Sequence, residues 1–172
     1  MVYSVAESLG TGSVISGSSG LGTASAVRLG GPLVGKPAPP FSLSSIENAS
    51  GGINLRAFAG KPLVVNFFAS WCIPCETELP EFAAMARSEK GKVQFVGIDE
   101  NDSRSAATAL IHRSGVAYPV AFDPRGSLVR PYYLLGLPTT LFINSDRVVV
   151  AEVAGEVSLP LLASYINGLS SS

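Results

Sequence analysis

Two rhythms of apolar residues divide this chain. Leu63-Val64-Val65-Asn66-Phe67-Phe68 is a short run of β-branched and aromatic residues broken by one amide, and Val93-Gln94-Phe95-Val96-Gly97-Ile98 repeats the pattern. Runs of this length and composition predict strands buried on both faces. Between them, Leu79, Phe82, Ala83 and Ala86 recur at helical spacing from Pro74 to about Ser88. Pro74 and the acids Glu76, Glu78 and Glu81 gather where the first turns of a helix prefer them. Pro80 lacks a backbone N–H and is expected to kink that helix. A second helix is predicted from a cap at Asp102 or Ser103 to about Ile111, with Asp99-Glu100-Asn101-Asp102 as a solvated loop before it. The result is a βαβ unit with parallel strands.

The remaining segments extend this unit into an α/β fold. Phe41 to Leu55 reads as an N-terminal β-hairpin about Asn48-Ala49-Ser50-Gly51-Gly52. Thr139 to Ile143 and Val148 to Val153 read as an antiparallel pair about Asn144-Ser145-Asp146-Arg147, and Leu159 to Leu169 as a closing helix. Arg125, Arg130, Tyr132 and Tyr133 are expected on a further helix leading to Leu135. A mixed central sheet flanked by helices on both faces is the expected architecture.

Composition changes the picture at one end. Residues 1–31 are dominated by glycine and serine, with Glu7 and Arg28 as their only charges. Such a stretch has too little apolar surface to offset the entropy of ordering, so it reads as a flexible leader or linker before a domain at 32–172. The full 172 residues, 47% hydrophobic with net charge −1, suit one core and lack the basic balance expected of a nucleic-acid binder or an anionic-membrane binder.

The candidate chemistry lies where the first buried strand meets the first helix. Trp71-Cys72-Ile73-Pro74-Cys75 holds both cysteines of the chain, and Cys72 falls at the predicted helix N-terminus. Unpaired N–H groups there carry positive partial charge and favour a thiolate over a thiol. Cys75, one turn further in, lies on the same face, within disulfide reach and more covered. Cys72 is therefore the expected nucleophile, forming a mixed disulfide that Cys75 resolves. A zinc site needs four ligands, and the single histidine, His112, stands in an unrelated stretch. No metal is expected, and His112 is left out of the site. Asp99, Glu100 and Asp102 lack the spacing of a calcium loop.

The stretch from Asn66 to Pro80 resembles the active site of the thioredoxin superfamily, and most closely that of the TlpA/ResA-like thiol-disulfide oxidoreductases. Gly35-Lys36-Pro37-Ala38-Pro39-Pro40-Phe41 is similar to that group's opening segment, and Leu55-Arg56-Ala57-Phe58-Ala59-Gly60-Lys61-Pro62 to the lead into its first core strand. Gly136-Leu137-Pro138-Thr139-Thr140 is similar to its cis-proline segment. The resemblance implies a thioredoxin-like fold, a cis Leu137–Pro138 bond facing the cysteines, and Gly115 to Asp123 as a short insertion before that segment. It implies that Glu78 is a screened acid–base residue where ordinary thioredoxins use an aspartate at the position of Asn66. Trp71, Ile73, Pro74, Leu137 and Pro138 become the expected substrate-binding residues, with Ile73 and Pro74 also tuning the redox potential.

The implied activity is disulfide exchange with protein thiols, with the protein acting as a reductant. The resemblance further implies a role in cytochrome c maturation or extracytoplasmic thiol homeostasis, a membrane electron donor of the CcdA/DsbD kind, and an exported or anchored monomer, with a leaderless cytoplasmic form as the alternative. No cofactor is expected beyond the Cys72–Cys75 disulfide. Two other readings remain: a peroxiredoxin-like peroxidase, separable by peroxide consumption, and a thioredoxin-fold binding module without redox turnover, separable by the mass change on mild reduction.

Overall fold

The structure is a computed structural model and describes residues 28–170. Eight strands form one sheet: β1 (Arg28–Leu29), β2 (Ser42–Ser45), β3 (Gly52–Asn54), β4 (Leu63–Phe68), β5 (Gln94–Glu100), β6 (Val120–Asp123), β7 (Thr139–Ile143) and β8 (Val149–Ala154), in the order β1-β8-β7-β4-β5-β6-β2-β3. Strand β4 sits at the centre, parallel to β5 and antiparallel to β7, and all six of its residues are buried. Its unbroken apolar run follows from that position, since both of its faces are covered. The N-terminal hairpin β2–β3 extends the sheet edge by pairing β2 with β6. The fold is thioredoxin-like, with a mixed sheet and three α-helices.

The helices α1 (Ile73–Ser88), α2 (Arg104–Ser114) and α3 (Leu159–Ser170) all cover one face. Side chains alternate along β4, so Val64 and Phe68 share that face, packed with Leu79, Phe82, Leu110 and Leu162 of the three helices. Strands β4, β5 and β6 advance in one direction across the sheet, and right-handed crossovers place α1 and α2 on the same side. The opposite face, expected to carry helices too, carries among the described residues only one turn of 3₁₀ helix at Leu55–Phe58. It is closed by Leu33, Phe41, Leu128 and Tyr132 over Leu63, Val65 and Phe67. The residues expected as a helix around Arg125 to Tyr133 form turns, anchored by the buried Tyr132, whose hydroxyl donates to the Pro39 carbonyl at 2.5 Å.

Other boundaries move for identifiable reasons. Arg28 and Leu29 pair with Ala154 and Val153, so the fold begins before residue 32. A Cβ at Gly31 would run into the Glu152 carboxyl, which ties this segment to β8. The rest of the expected leader, residues 1–27, lies outside the described residues. The Gly115 to Asp123 segment supplies β6, an internal strand between β5 and β2. Helix α1 runs through Pro80 as one element, and α2 continues to Ser114, where Gly115 turns the chain in the left-handed region at φ 68°. Strand β5 extends over Asp99 and Glu100, both buried, where a solvated loop was expected. Among the described residues, no helix is long and apolar enough to cross a membrane.

Gly97 shows how tightly the helix-bearing face is filled. A Cβ there would stand 2.8 Å from Phe68 Cε1 and 3.2 Å from Val120 Cγ2, both on fully or nearly fully buried side chains. Gly97→Ala is expected to lower unfolding stability by about 1–3 kcal/mol through overpacking. Urea unfolding of the oxidised protein checks this, and an unchanged midpoint would contradict it.

Candidate active site

Strand β4 delivers the chain to the helix face and α1 begins almost at once. Cys72 is the N-cap of α1, with φ −93° and ψ 103°, and Pro74 sits in the first turn. Its Sγ accepts from the Cys75 N–H at 3.3 Å, and its carbonyl accepts from the Cys75 and Glu76 N–H groups. The two sulfurs are joined as a disulfide with Cα atoms 5.2 Å apart. Cys72 retains 5% exposure and Cys75 none. The Cys75 N–H and the positive end of the helix dipole thus face the more accessible of the two sulfurs.

Glu78 lies on the buried side of the same helix with 1% exposure. Its Oε1 accepts from Asn66 Nδ2 at 2.8 Å and its Oε2 from the Val157 N–H at 2.9 Å. Burial dominates over these two bonds and lifts the carboxyl from its ordinary 4.5 to about 8. Asn66 also donates to Thr140 Oγ1 at 3.1 Å, while its own Oδ1 has no partner. Rotating the amide would exchange donor for acceptor, so Asn66 can serve Glu78 ionised or protonated. Asn66 therefore bridges β4, α1 and β7 through one amide.

The expected substrate residues divide by exposure. Trp71 and Ile73 project outward at 60% and 78%, whereas Pro74 is half-buried and Pro138 buried. The Leu137–Pro138 bond is cis, and Leu137 packs against the cluster that contains Cys72 and Cys75. Beside them lies a groove of about 230 Å³ lined by Trp71, Val129, Leu134, Leu135 and Leu137, with Glu100 among its lining residues.

Three further carboxyls gather at this end of the sheet, and sequence reading placed two of them in solvent. Glu100 is pushed up to about 8, by burial first and by the Asp123 carboxylate second. Asp123 is held by Ser127 Oγ and the Leu128 N–H, each at 2.8 Å. Asp99 is fully buried on the opposite side of β5. The missed signal was strand length: β5 continues beside β4 until Asp99 pairs with Phe68. Among the described residues, no group of three or more His, Cys, Asp or Glu side chains is arranged to hold a metal ion.

Comparison with known proteins agrees with this geometry. Residues 34–152 match the AhpC/TSA family. The chain belongs to that family. It is 30% identical over 138 residues to the thiol-disulfide oxidoreductase ResA of Bacillus thuringiensis, covering 80% of this chain and 79% of the relative. It is 31% identical over 150 residues to the thiol:disulfide interchange protein DsbE of Allochromatium vinosum, covering 82% of each chain. Among solved structures, a putative DsbE from Chlorobium tepidum superposes with a TM-score of 0.73 at 26% identity, covering 80% of this chain and 97% of that one. The protein is a thiol-disulfide oxidoreductase of the ResA and DsbE type.

The buried acid of this family member has a thermodynamic signature. Between pH 4.5 and about 8, the folded state keeps the Glu78 proton that the unfolded state has lost. Stability contributed by this group is complete below the lower value and is lost as pH rises through the upper one. Glu78→Gln is expected to flatten that fall in the oxidised protein, by up to about 1.4 kcal/mol per pH unit. Denaturant unfolding across the window measures it, and parallel stability curves for the two proteins would contradict the assignment.

Proposed function

We propose that the protein reduces disulfides in protein substrates, with Cys72 as nucleophile, Cys75 as resolving thiol and Glu78 as proton carrier. The observation that supports it is the joining of an accessible helix-capping sulfur, a covered second sulfur and a buried carboxyl on one helix. The Cys72 thiolate attacks one substrate sulfur; that S–S bond breaks, a mixed disulfide forms, and one substrate thiolate leaves. Glu78, in its ionised form, then takes the Cys75 proton as Cys75 attacks Cys72 Sγ, which releases the second substrate thiolate. The two leaving thiolates are protonated, one by the proton passed on from Glu78 and one by the proton that Cys72 gave to solvent on ionising. Substrate thus gains two electrons and two protons, and Cys72–Cys75 ends oxidised. A carboxyl titrating near 8 lies close to the ordinary thiol range around 8.5, so this proton moves with little penalty in either direction.

The exposed Trp71 and Ile73 offer apolar contact to a substrate peptide, and Leu137 offers main chain for strand-like pairing next to the buried Pro138. The exposed Ile73 and the half-buried Pro74 set how readily the reduced pair is solvated. In this reading the two sulfurs suffice and no separate cofactor takes part. The resemblance to the TlpA/ResA-like group extends the proposal to an extracytoplasmic monomer that serves cytochrome c maturation or thiol homeostasis. Its dithiol is restored by a membrane dithiol protein of the CcdA/DsbD kind.

Cys75→Ala, reduced and mixed with a disulfide-bonded substrate protein, should accumulate a mixed disulfide visible by mass, and Cys72→Ala should accumulate none. Trapping by Cys72→Ala alone would reverse the two roles. Glu78→Gln should change the pH profile of exchange between roughly pH 5 and 9, where carboxyls and thiols of this kind titrate. A superimposable profile would remove Glu78 from the chemistry.

A further inference from the structure

The rim that presents Cys72 is held from outside its own helix. The Ser70 N–H donates to Asp102 Oδ2 at 2.6 Å, and Trp71 Nε1–H donates to the Asn101 carbonyl at 3.1 Å. Both acceptors belong to the connection between β5 and α2. Asp102 is itself oriented by the Ser103 N–H, which donates to its Oδ1 at 2.6 Å just before the α2 N-cap. Behind this connection, at the end of β5, lies Asp99, the buried carboxyl that the exchange steps leave unused.

Asp99 is 0% exposed, and neither of its carboxyl oxygens has a hydrogen-bond partner. Strand register sets it beside Phe68, two residues before the Ser70 whose N–H Asp102 holds, and Asp102 is the charged group that acts most strongly on it. Two ionised carboxylates placed side by side repel and accept only, which leaves buried oxygens orphaned. One added proton turns the repulsion into a short charge-assisted hydrogen bond and satisfies the pair. The charged groups facing Asp99 are Asp102 from the loop, Glu100 from its own strand and Arg104 from α2. Arg104 donates to the Ser45 and Ile46 carbonyls and to Ser44 Oγ, lies 4.4 Å above the Phe122 ring, and forms no ion pair with these acids among the described residues.

We propose that Asp99 is a positioning residue for disulfide exchange: as a protonated acid it donates to Asp102 and thereby fixes the Ser70-Trp71 rim beside Cys72. Burial first, and Asp102 second, raise the Asp99 carboxyl to about 8. Below that pH the brace is closed. Above it, a second negative charge beside Asp102 opposes the acceptor that holds the Ser70 N–H, and the rim carrying Trp71 loosens. The consequence for catalysis rests on the proposed exchange reaction, but the brace can be tested in the oxidised protein, where neither cysteine titrates.

Trp71 is the only tryptophan in the chain, so its emission reports the rim directly. With the oxidised protein excited where tyrosine does not absorb, emission should show a one-proton transition near pH 8. The transition should disappear in Asp99→Asn, whose amide donates to Asp102 at every pH. It should persist in Glu78→Gln and Glu100→Gln, which remove the two other acids raised to about 8. In Asp102→Asn, which keeps an amide group beside Ser70 but removes the like charge, the midpoint should move to lower pH. A flat wild-type profile, a transition surviving in Asp99→Asn or lost in Glu78→Gln or Glu100→Gln, or an unmoved midpoint in Asp102→Asn would overturn the proposal. None of these outcomes depends on exchange activity, so the dithiol mechanism and the brace can fail separately.

Discussion

The burial of β4 on both faces is the constraint on which the site depends. With Leu63, Val65 and Phe67 sealed under Leu33, Phe41 and Tyr132, and Val64 and Phe68 sealed under the helices, the strand cannot slip by a residue without turning every side chain to the wrong face. That register sets where Phe68 ends, where Ala69 to Trp71 turn, and where Cys72 caps α1. It also places Asn66 under α1, level with Thr140 and facing Glu78. A redox pair that must meet a substrate sulfur within bonding distance gains its precision from this rigid support.

Around that frame the protein concentrates acids at the carboxyl ends of its parallel strands. Asp99 and Glu100 end β5, Asp123 ends β6, and Glu78 approaches from α1. Binding and catalysis in open α/β sheets gather at such strand ends because loops there can vary while the strands stay fixed. Here the same edge removes water from three carboxyls, and each is lifted to about 8 chiefly by that burial. The resulting charge states differ by partner: Glu78 faces an adaptable amide, while Asp99 and Glu100 each face another acid. One sheet edge thus holds buried acids on both faces of β5, with Glu78 and Asp99 on the helix-bearing face and Glu100 on the other.

Much of this was legible from residue order. The central strand, the helix starting at the cysteines, the hairpin and the antiparallel pair β7–β8 each follow from local periodicity, turn residues and caps. Cys72 and Cys75 were legible because three-residue spacing on a helix puts both sulfurs on one face. Asp99 and Glu100 were misread because acids after an apolar run look like a solvated loop. Only the neighbouring strands β4 and β6 show that the ladder continues. Arg125 to Tyr133 failed as a helix because Tyr132 is drawn into the core by contacts with Phe67 and Pro39, which are remote in sequence.

By itself the sequence determined the elements that depend on near neighbours: where α1 begins, which sulfur caps it, and which run must be buried. Those follow from backbone geometry and side-chain volume within a few residues. Tertiary structure alone decided that all three helices share one face, that Gly115 to Asp123 supplies an internal strand, and that Arg28 and Leu29 join the sheet. It also decided the protonation of Glu78, Asp99 and Glu100. Desolvation and like-charge repulsion act through space, between groups brought together by pairing of distant strands, and no local pattern carries that information.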